Sequence, residues 1–139
     1  MKSEGTQIIL LNDRREVLMY LRDDKTEIAY PNQWSLLGGM IEAGETPLET
    51  IVREIDEEIG VVLDPSEVDH VCTRDLHFGV EHTFHARVSF EIEDVVLTEG
   101  QGLRWFTEQD AAATDLAYED NAMLADFFAG LPETTTATQ

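Results

Sequence analysis

One stretch of this chain, residues 38–61, joins a pair of glycines to a short helix with clear start and stop signals. Thr46 can cap the first turn, the proline after it suits the first helical position, and Glu49 completes a capping box. Gly60 stands where a left-handed residue ends many helices. The stretch therefore predicts a helix over residues 47–59, entered through a sharp glycine turn that leaves a carbonyl free to approach a ligand.

The predicted helix has two different faces. Its apolar residues follow the i, i+3, i+4 rule and form one stripe: Leu48, Ile51, Val52, Ile55 and Ile59. A second face gathers Glu54, Glu57 and Glu58, whose like charges repel by about 0.2–0.5 kcal/mol per pair on an exposed helix. A solvated acidic surface would explain this face in a Glu-rich chain. A divalent cation would explain it too, because Mg2+ prefers carboxylate and phosphate oxygens.

The spacing of the whole stretch favours the cation. It runs Gly39, five residues, Glu45, seven residues, Arg53-Glu54, an aliphatic, any residue, Glu57-Glu58, any residue, Gly60, an aliphatic. This pattern matches every fixed position of the Nudix box. The chain thus resembles the Nudix hydrolases, and its layout is most similar to the small MutT-type members.

The resemblance implies a fold and a reaction. The expected fold is of the α/β class, a Nudix-type α/β/α sandwich with a mixed β-sheet between helices. The expected reaction is hydrolysis of the pyrophosphate link in a nucleoside diphosphate linked to a group X, with Mg2+ or Mn2+. We favour a (d)NTP, oxidised purines included, giving a monophosphate and pyrophosphate. The alternatives are a nucleotide sugar or another nucleoside diphosphate compound, and a nucleotide-binding sensor module without turnover.

The resemblance also assigns roles within and beyond the box. By position, the metal ligands are the carbonyl of Gly39 and the carboxylates of Glu54, Glu57, Glu58 and Glu99, the last because Glu99-Gly100-Gln101 before Trp105 resembles a MutT segment. Glu54 is the better box candidate for activating the water, and Glu99 is a second candidate, so the identity of the base stays open.

Two further box residues take supporting roles by the same resemblance. Arg53 is expected to hold Glu54 or Glu57 in place through its planar guanidinium. Glu45 is expected to support the junction between the loop and the helix.

Residues that would contact the substrate are less sharply marked. Arg22 ends a predicted strand and is either a phosphate contact or a surface cation. Phe78 lies in a region with His77, His82 and His85, which could contact a base. The three histidines lack the close spacing of a transition-metal site.

Near the C-terminus, three consecutive polar residues are candidates for reading a purine edge: Glu119, Asp120 and Asn121. Their position downstream of Trp105 is similar to that of a base-reading residue in MutT-like enzymes. The two acids could equally be favourable charges at the N-terminus of the last helix.

Composition limits the partners. Nine Lys and Arg oppose 29 Asp and Glu, giving a net charge of −20, which repels nucleic-acid polymers but permits a small nucleotide bound through a cation. Cys72 is the single cysteine, so no internal disulfide forms, as in a reducing cytoplasm. Without a signal peptide or an apolar run of spanning length, we expect a cytoplasmic protein with no membrane partner, monomeric or homodimeric.

The rest of the chain predicts the sheet. Apolar or alternating runs predict strands over residues 6–11, 16–21, 34–37, 68–78, 83–92 and 103–106, and a last helix over 119–129 that Gly130 stops. Without repeats or linkers, we expect a single domain over residues 1–131 and a disordered tail over 132–139.

Overall fold

The computed structural model describes residues 3–132, which form one six-stranded sheet with helices on both of its faces. The strands are β1 (Glu4–Leu11), β2 (Val17–Leu21), β3 (Trp34–Met40), β4 (Asp69–Leu76), β5 (Gly79–Arg87) and β6 (Gly102–Phe106). The helices are α1 (Pro47–Ile59), α2 (Glu108–Ala112) and α3 (Asp120–Gly130), and single 3-10 turns lie at Pro65–Glu67 and Ile92–Asp94.

The sheet is mixed and its strand order is β4-β5-β1-β3-β2-β6. β1 runs parallel to β5, and the other neighbouring strands pair antiparallel. Strands distant in sequence therefore meet at the centre, where β1 lies between β3 and β5.

Two hydrophobic cores lie on opposite faces of this sheet. On one face, Ile8 and Leu10 of β1 pack with residues of α1, whereas Ile9 and Leu11 pack on the other face with residues of α2 and α3. Because consecutive side chains of a strand point to opposite faces, the part of β1 that is covered on both sides, residues 8–11, is apolar at every position. The predicted α/β/α sandwich with a mixed sheet is confirmed.

Helix α1 has the predicted bounds and caps. The Glu49 N–H donates to the Thr46 hydroxyl at 3.1 Å, and the Thr46 N–H donates to the Glu49 carboxylate at 2.9 Å. Gly60 has the left-handed conformation at φ 72° that residues with a Cβ rarely adopt. The apolar stripe is buried at Ile51, Ile55 and Ile59, which turns the acidic face away from the core.

The expected sharp turn at the glycine pair is wrong. Gly38 and Gly39 lie inside β3, where they pair with Gln7 and Thr6 of β1. The chain turns only afterwards, where the Glu45 N–H donates to the Glu42 carbonyl at 3.0 Å. The glycines serve close approach instead, because a Cβ on either would collide with a neighbour.

The strand predicted over residues 83–92 begins and ends earlier in the structure, as β5 (Gly79–Arg87), and it is more buried than expected. Its β1 partner ends at Leu11, opposite Arg87, so no strand remains for the following residues to pair with. The polar face of β5 is covered rather than solvated, since Thr83 is fully buried and His85 contacts the Phe127 ring.

The last helix is displaced by one residue, because Glu119 caps α3 and Gly130 is its final helical residue rather than a stop. Of the predicted disordered tail, residues 132–139, only Pro132 lies within the described residues. The tail and the domain boundary at residue 131 therefore stay predictions. No helix in the described part of the chain is both long and apolar enough to cross a membrane.

Candidate active site

A cavity of about 610 Å³ opens at the paired glycines. Residues from β1, β2, β3, β5 and α1 line it together with the loops that follow β2 and precede β6. Six residues that the sequence singled out lie in its wall: Arg22, Gly39, Glu54, Glu58, Phe78 and Glu99. The remaining candidates are not lining residues: Glu45, Arg53, Glu57, Glu119, Asp120 and Asn121.

The close approach of β3 to α1 brings the first carboxylate to the cavity. A Cβ on Gly39 would overlap the carboxylate carbon of Glu54, so only glycine leaves room for that group against the strand. The Gly39 carbonyl accepts a hydrogen bond from the Thr6 hydroxyl at 2.9 Å.

Glu58 follows Glu54 by one helical turn and is the most perturbed acid of α1. Burial raises the pKa of Glu58 to about 9, and the charge and hydrogen bond of Glu54 and the charge of Glu99 add to the rise. Its Oε1 is buried and has no hydrogen-bond partner. This carboxyl therefore needs either a proton or a cation.

Arg53 connects the loop before α1 to two of the acids. Its Nε and Nη2 donate to the two oxygens of Glu45 at 2.6 and 3.0 Å, and its Nη1 donates to Glu54 at 3.1 Å and to Glu57 at 3.2 Å. The hydrogen bond from Arg53, followed by that from Thr50, lowers the pKa of Glu45 to about 2. A planar guanidinium thus holds three carboxylates in one arrangement.

Glu99 reaches the site through contacts of the preceding residue. The Thr98 N–H donates to the Glu58 carbonyl at 2.9 Å, and the Thr98 hydroxyl donates to the Glu57 carbonyl at 3.1 Å. These bonds satisfy carbonyls of the last turn of α1, which have no partner within the helix. They fix the loop so that Glu99 lines the cavity beside Glu58.

The site is not a preformed metal cage. Within residues 3–132, no three His, Cys, Asp or Glu side chains are gathered closely enough to hold an ion, and Glu57 is turned toward Arg53 and solvent. The chemistry of the donors nevertheless fits a divalent cation. A buried, unpartnered Glu58 oxygen, mutually repelling carboxylates and a nearby carbonyl are oxygen ligands of the kind that Mg2+ prefers.

Phe78, Tyr118 and Arg22 form a second group of lining residues, which we call the aromatic end of the cavity. Phe78 and Tyr118 meet edge to face with ring centroids 5.3 Å apart, and the Arg22 guanidinium lies 5.2 Å from the centre of the Tyr118 ring. Arg22 also donates to the Tyr20 hydroxyl at 2.8 Å. Neither Tyr20 nor Tyr118 belongs to a motif, so no sequence pattern indicates that they line the cavity.

Tyr118 and its neighbour Tyr30 adopt a conformation that bulky residues avoid. Their φ angles are 57° and 51°, and their ring centroids lie 4.6 Å apart. Backbone strain of this kind is common at binding sites, where the surrounding structure enforces it.

The three candidates before and within α3 occupy different environments. Asp120 is fully buried behind the cavity wall, and its Oδ2 accepts the Leu36 N–H at 3.0 Å and the Ser35 hydroxyl at 3.4 Å. Burial raises the pKa of Asp120 to about 8, and its Oδ1 has no partner. The Glu119 Oε2 lies 4.0 Å from the His77 Nδ1.

Asn121 serves the connection between α2 and α3. Its amide donates to the carbonyls of Ala111 and Thr114 and accepts the Leu116 N–H, all within 3.0 Å. These bonds occupy its side chain, so the structure gives Asn121 a structural place rather than a substrate contact.

The three histidines lie in different environments. His77 packs against Phe78, His85 against Phe127, and His82 lies between Glu4 and Thr73 with hydrogen bonds of 2.7 and 2.9 Å. None of the three lines the cavity.

The family model named NUDIX domain matches residues 1–127 of this chain. The chain belongs to the Nudix family. This Nudix domain is 30% identical over 105 residues to a Bacillus subtilis protein provisionally named 8-oxo-dGTP diphosphatase, a match that covers 76% of the chain and 66% of the relative. It is 38% identical over 60 residues to the nucleoside triphosphatase NudI of Escherichia coli, covering 43% of the chain and 41% of the relative.

The fold has close counterparts among solved structures. The MutT protein from Methanosarcina mazei superposes with a TM-score of 0.75 at 19% identity, covering 92% of this chain and 94% of that one. The curated relatives are matched over less of their length, from about a third to two thirds.

Proposed function

We propose that this Nudix domain hydrolyses the pyrophosphate link of a nucleoside diphosphate-X compound, with a (d)NTP as the favoured substrate. The products are then a nucleoside monophosphate and pyrophosphate. The observation that carries the proposal is the pair Glu54 and Glu58 in the cavity wall, one of them with a buried oxygen that lacks a partner. The names of the two relatives, an 8-oxo-dGTP diphosphatase and a nucleoside triphosphatase, support this substrate class.

The proposed cofactor is Mg2+, with Mn2+ as a substitute, held by the Gly39 carbonyl and by the carboxylates of Glu54, Glu57, Glu58 and Glu99. Such an ion, when bound, neutralises phosphate charge and lowers the pKa of a coordinated water. The protein's own contribution is positioning. Arg53 already contacts Glu54 and Glu57 and is anchored by Glu45, so it limits the freedom of both carboxylates.

The substrate's base and ribose are assigned to the aromatic end. Phe78 and Tyr118 offer apolar ring surfaces, and Arg22 offers a cation. Asp120 is retained as a base-reading candidate through its unpartnered Oδ1, whereas Glu119 and Asn121 are left out because of their contacts with His77 and with the α2–α3 connection.

A net charge of −20 agrees with this assignment, since a bound cation supplies the positive charge that a polyphosphate needs. A cytoplasmic location, a monomeric or homodimeric state, and the lack of nucleic-acid or membrane partners stay predictions of the sequence.

The test is a screen of about 50 nucleoside phosphates with Mg2+ and with Mn2+, followed by product identification. Glu57→Gln and Glu58→Gln should each lower kcat/KM by about 100-fold or more, because each removes a charged ligand. Glu49→Gln on the same helix is the matched control, since glutamine also completes a capping box.

Three outcomes are informative. Wild-type rates in both variants would show the metal assignment to be wrong. A sugar phosphate in place of pyrophosphate would move the substrate to nucleotide sugars. Nucleotide-dependent thermal stabilisation without any product would identify a sensor module.

A further inference from the structure

Glu81 is a buried acid in the cavity wall that no box position explains. It lies on β5, is 8% exposed, and lines the same cavity as Glu54 and Glu58. Its Oε1 is buried without a hydrogen-bond partner. Burying a carboxylate is unfavourable unless its oxygens are hydrogen-bonded, and this oxygen lacks the hydrogen bond that would offset its burial.

Arg74 faces Glu81 across the strand pair. The two residues are register partners on β4 and β5, and the Arg74 Nη2 lies 3.7 Å from the Glu81 Oε1, too far for a good hydrogen bond. The Nε and Nη2 of Arg74 are themselves buried without acceptors. Burial raises the pKa of Glu81 and the charge of Arg74 opposes the rise, so the arginine favours the ionised, hydrogen-bond-accepting form.

Glu81 interacts electrostatically with Tyr118, a residue of the aromatic end of the cavity. The charge of Glu81 acts on Tyr118 and on Asp120, and raises the pKa of both. Phe78, the residue directly before β5, lines the same cavity. The neighbouring polar side chain, Gln7, is already engaged, since its amide donates to the Thr83 hydroxyl at 3.0 Å.

We propose that Glu81 is a specificity-determining residue whose carboxylate accepts hydrogen bonds from adjacent N–H groups on the edge of a guanine-type base, and that Arg74 positions it. This inference rests on the proposed function and adds a residue and a base class to it. N1–H and the 2-amino group of guanine are two adjacent donors that match the two oxygens of one carboxylate. Adenine presents a ring nitrogen lone pair at that edge, which a carboxylate repels.

The test measures binding, so that it does not depend on turnover. Affinities for GMP, IMP and AMP are determined by titration calorimetry in the presence of Mg2+. IMP keeps N1–H and lacks the 2-amino group. We expect the wild type to bind GMP about 10- to 150-fold more tightly than IMP, because IMP lacks one of the two hydrogen bonds to the charged carboxylate. In Glu81→Gln, which places a donor where one acceptor stood, the GMP/IMP ratio should fall to near 1.

The controls separate recognition from general damage. Glu108→Gln makes the same change at an exposed position of α2 and should keep the wild-type ratio. Arg74→Met should lower the ratio as well, because it releases the carboxylate. If Glu81→Gln does not fold, Glu81→Asp, which withdraws the carboxylate by one methylene, should also lower the ratio.

Each result decides the matter. A GMP/IMP ratio near 1 in the wild type would overturn the role of Glu81. An unchanged ratio in Glu81→Gln would also overturn it, as would an unchanged ratio in Glu81→Asp where Glu81→Gln does not fold. Selective GMP binding without hydrolysis of any guanine nucleotide would contradict the proposed function and leave Glu81 in place.

Discussion

Glu58, Glu81 and Asp120 are three acids on different elements, and each has one oxygen that is buried without a partner. Burial is the largest cause of the raised pKa of all three. A buried carboxyl avoids the cost of its charge by keeping a proton, by meeting a cation, or by accepting hydrogen bonds from a ligand. In our proposals, the cation binds Glu58, and the base donates hydrogen bonds to Glu81.

Asp120 provides a test of this reasoning through stability. Its pKa is raised from an ordinary value near 3.8 to about 8 in the folded protein. The folded state therefore binds the proton more tightly than the unfolded state. The stability that this proton contributes is fully present below about pH 4 and is lost as the pH rises toward 8. Asp120→Asn mimics the protonated acid and should not lose it.

We expect the free energy of unfolding of the wild type to fall relative to that of Asp120→Asn between pH 5 and pH 8. The difference should grow by up to about 1.4 kcal/mol per pH unit. Urea unfolding at several pH values measures the difference. Asp126→Asn, at an exposed position of α3, is the control and should show no such trend. A constant difference for Asp120→Asn would mean that the acid is ionised throughout.

At the scale of elements, the site depends on how closely β3 approaches its two neighbours. Gly38 faces the β1 backbone, where an added Cβ would lie 2.7 Å from the Gln7 Cα and overlap the Thr6 carbonyl. Gly39 faces α1, where the three atoms nearest to an added Cβ all belong to the Glu54 carboxylate. Adjacent glycines therefore serve the sheet and the acidic site separately.

Alanine at each glycine should separate stability from activity. Gly38→Ala should lower the free energy of unfolding by about 2 kcal/mol or more, because a packed backbone must move. Gly39→Ala should change stability by less than about 1 kcal/mol, since a carboxylate can rotate away. It should lower kcat/KM by about 10-fold or more, because Glu54 is displaced. Urea unfolding and nucleotide hydrolysis measure the two effects, and full activity in Gly39→Ala would contradict the role of this contact.

At the scale of the whole molecule, the dominant property is the charge of −20. Like charges repel one another in the compact state, and salt screens them, since the Debye length falls from about 30 Å at 0.01 M to about 10 Å at 0.1 M. Exposed ion pairs, such as Arg14 with Glu91 at 3.5 Å, contribute little that salt could remove.

We therefore expect NaCl to raise the melting temperature by about 2–8 °C between 0.01 and 0.3 M, in the presence of EDTA so that divalent ions do not contribute. Differential scanning calorimetry measures the shift. Betaine, which is zwitterionic and does not screen, is the control at matched osmolality. A melting temperature that stays constant or falls with NaCl would show that repulsion between surface charges does not limit stability.

The sequence by itself determined the features that local patterns encode. Thr46, Glu49 and Gly60 fixed the bounds of α1, and the spacing of its apolar residues fixed which face meets the core. The acidic face followed because a helix presents residues three and four apart on one side. The same pattern identified the family, which the match over residues 1–127 confirms.

Only the tertiary structure decided which residues share the cavity's aromatic end. Glu81 lies between the strands that the sequence predicts over residues 68–78 and 83–92, and no local pattern indicates that it lines a cavity. Its pairing with Arg74 and its electrostatic effect on Tyr118 and Asp120 depend on β5 lying between β4 and β1, and on α3 packing against the sheet. Periodicity is a property of a few consecutive residues, whereas strand order joins residues far apart in the chain. The sequence therefore specified the proposed chemistry of α1, and the fold assembled the proposed base site.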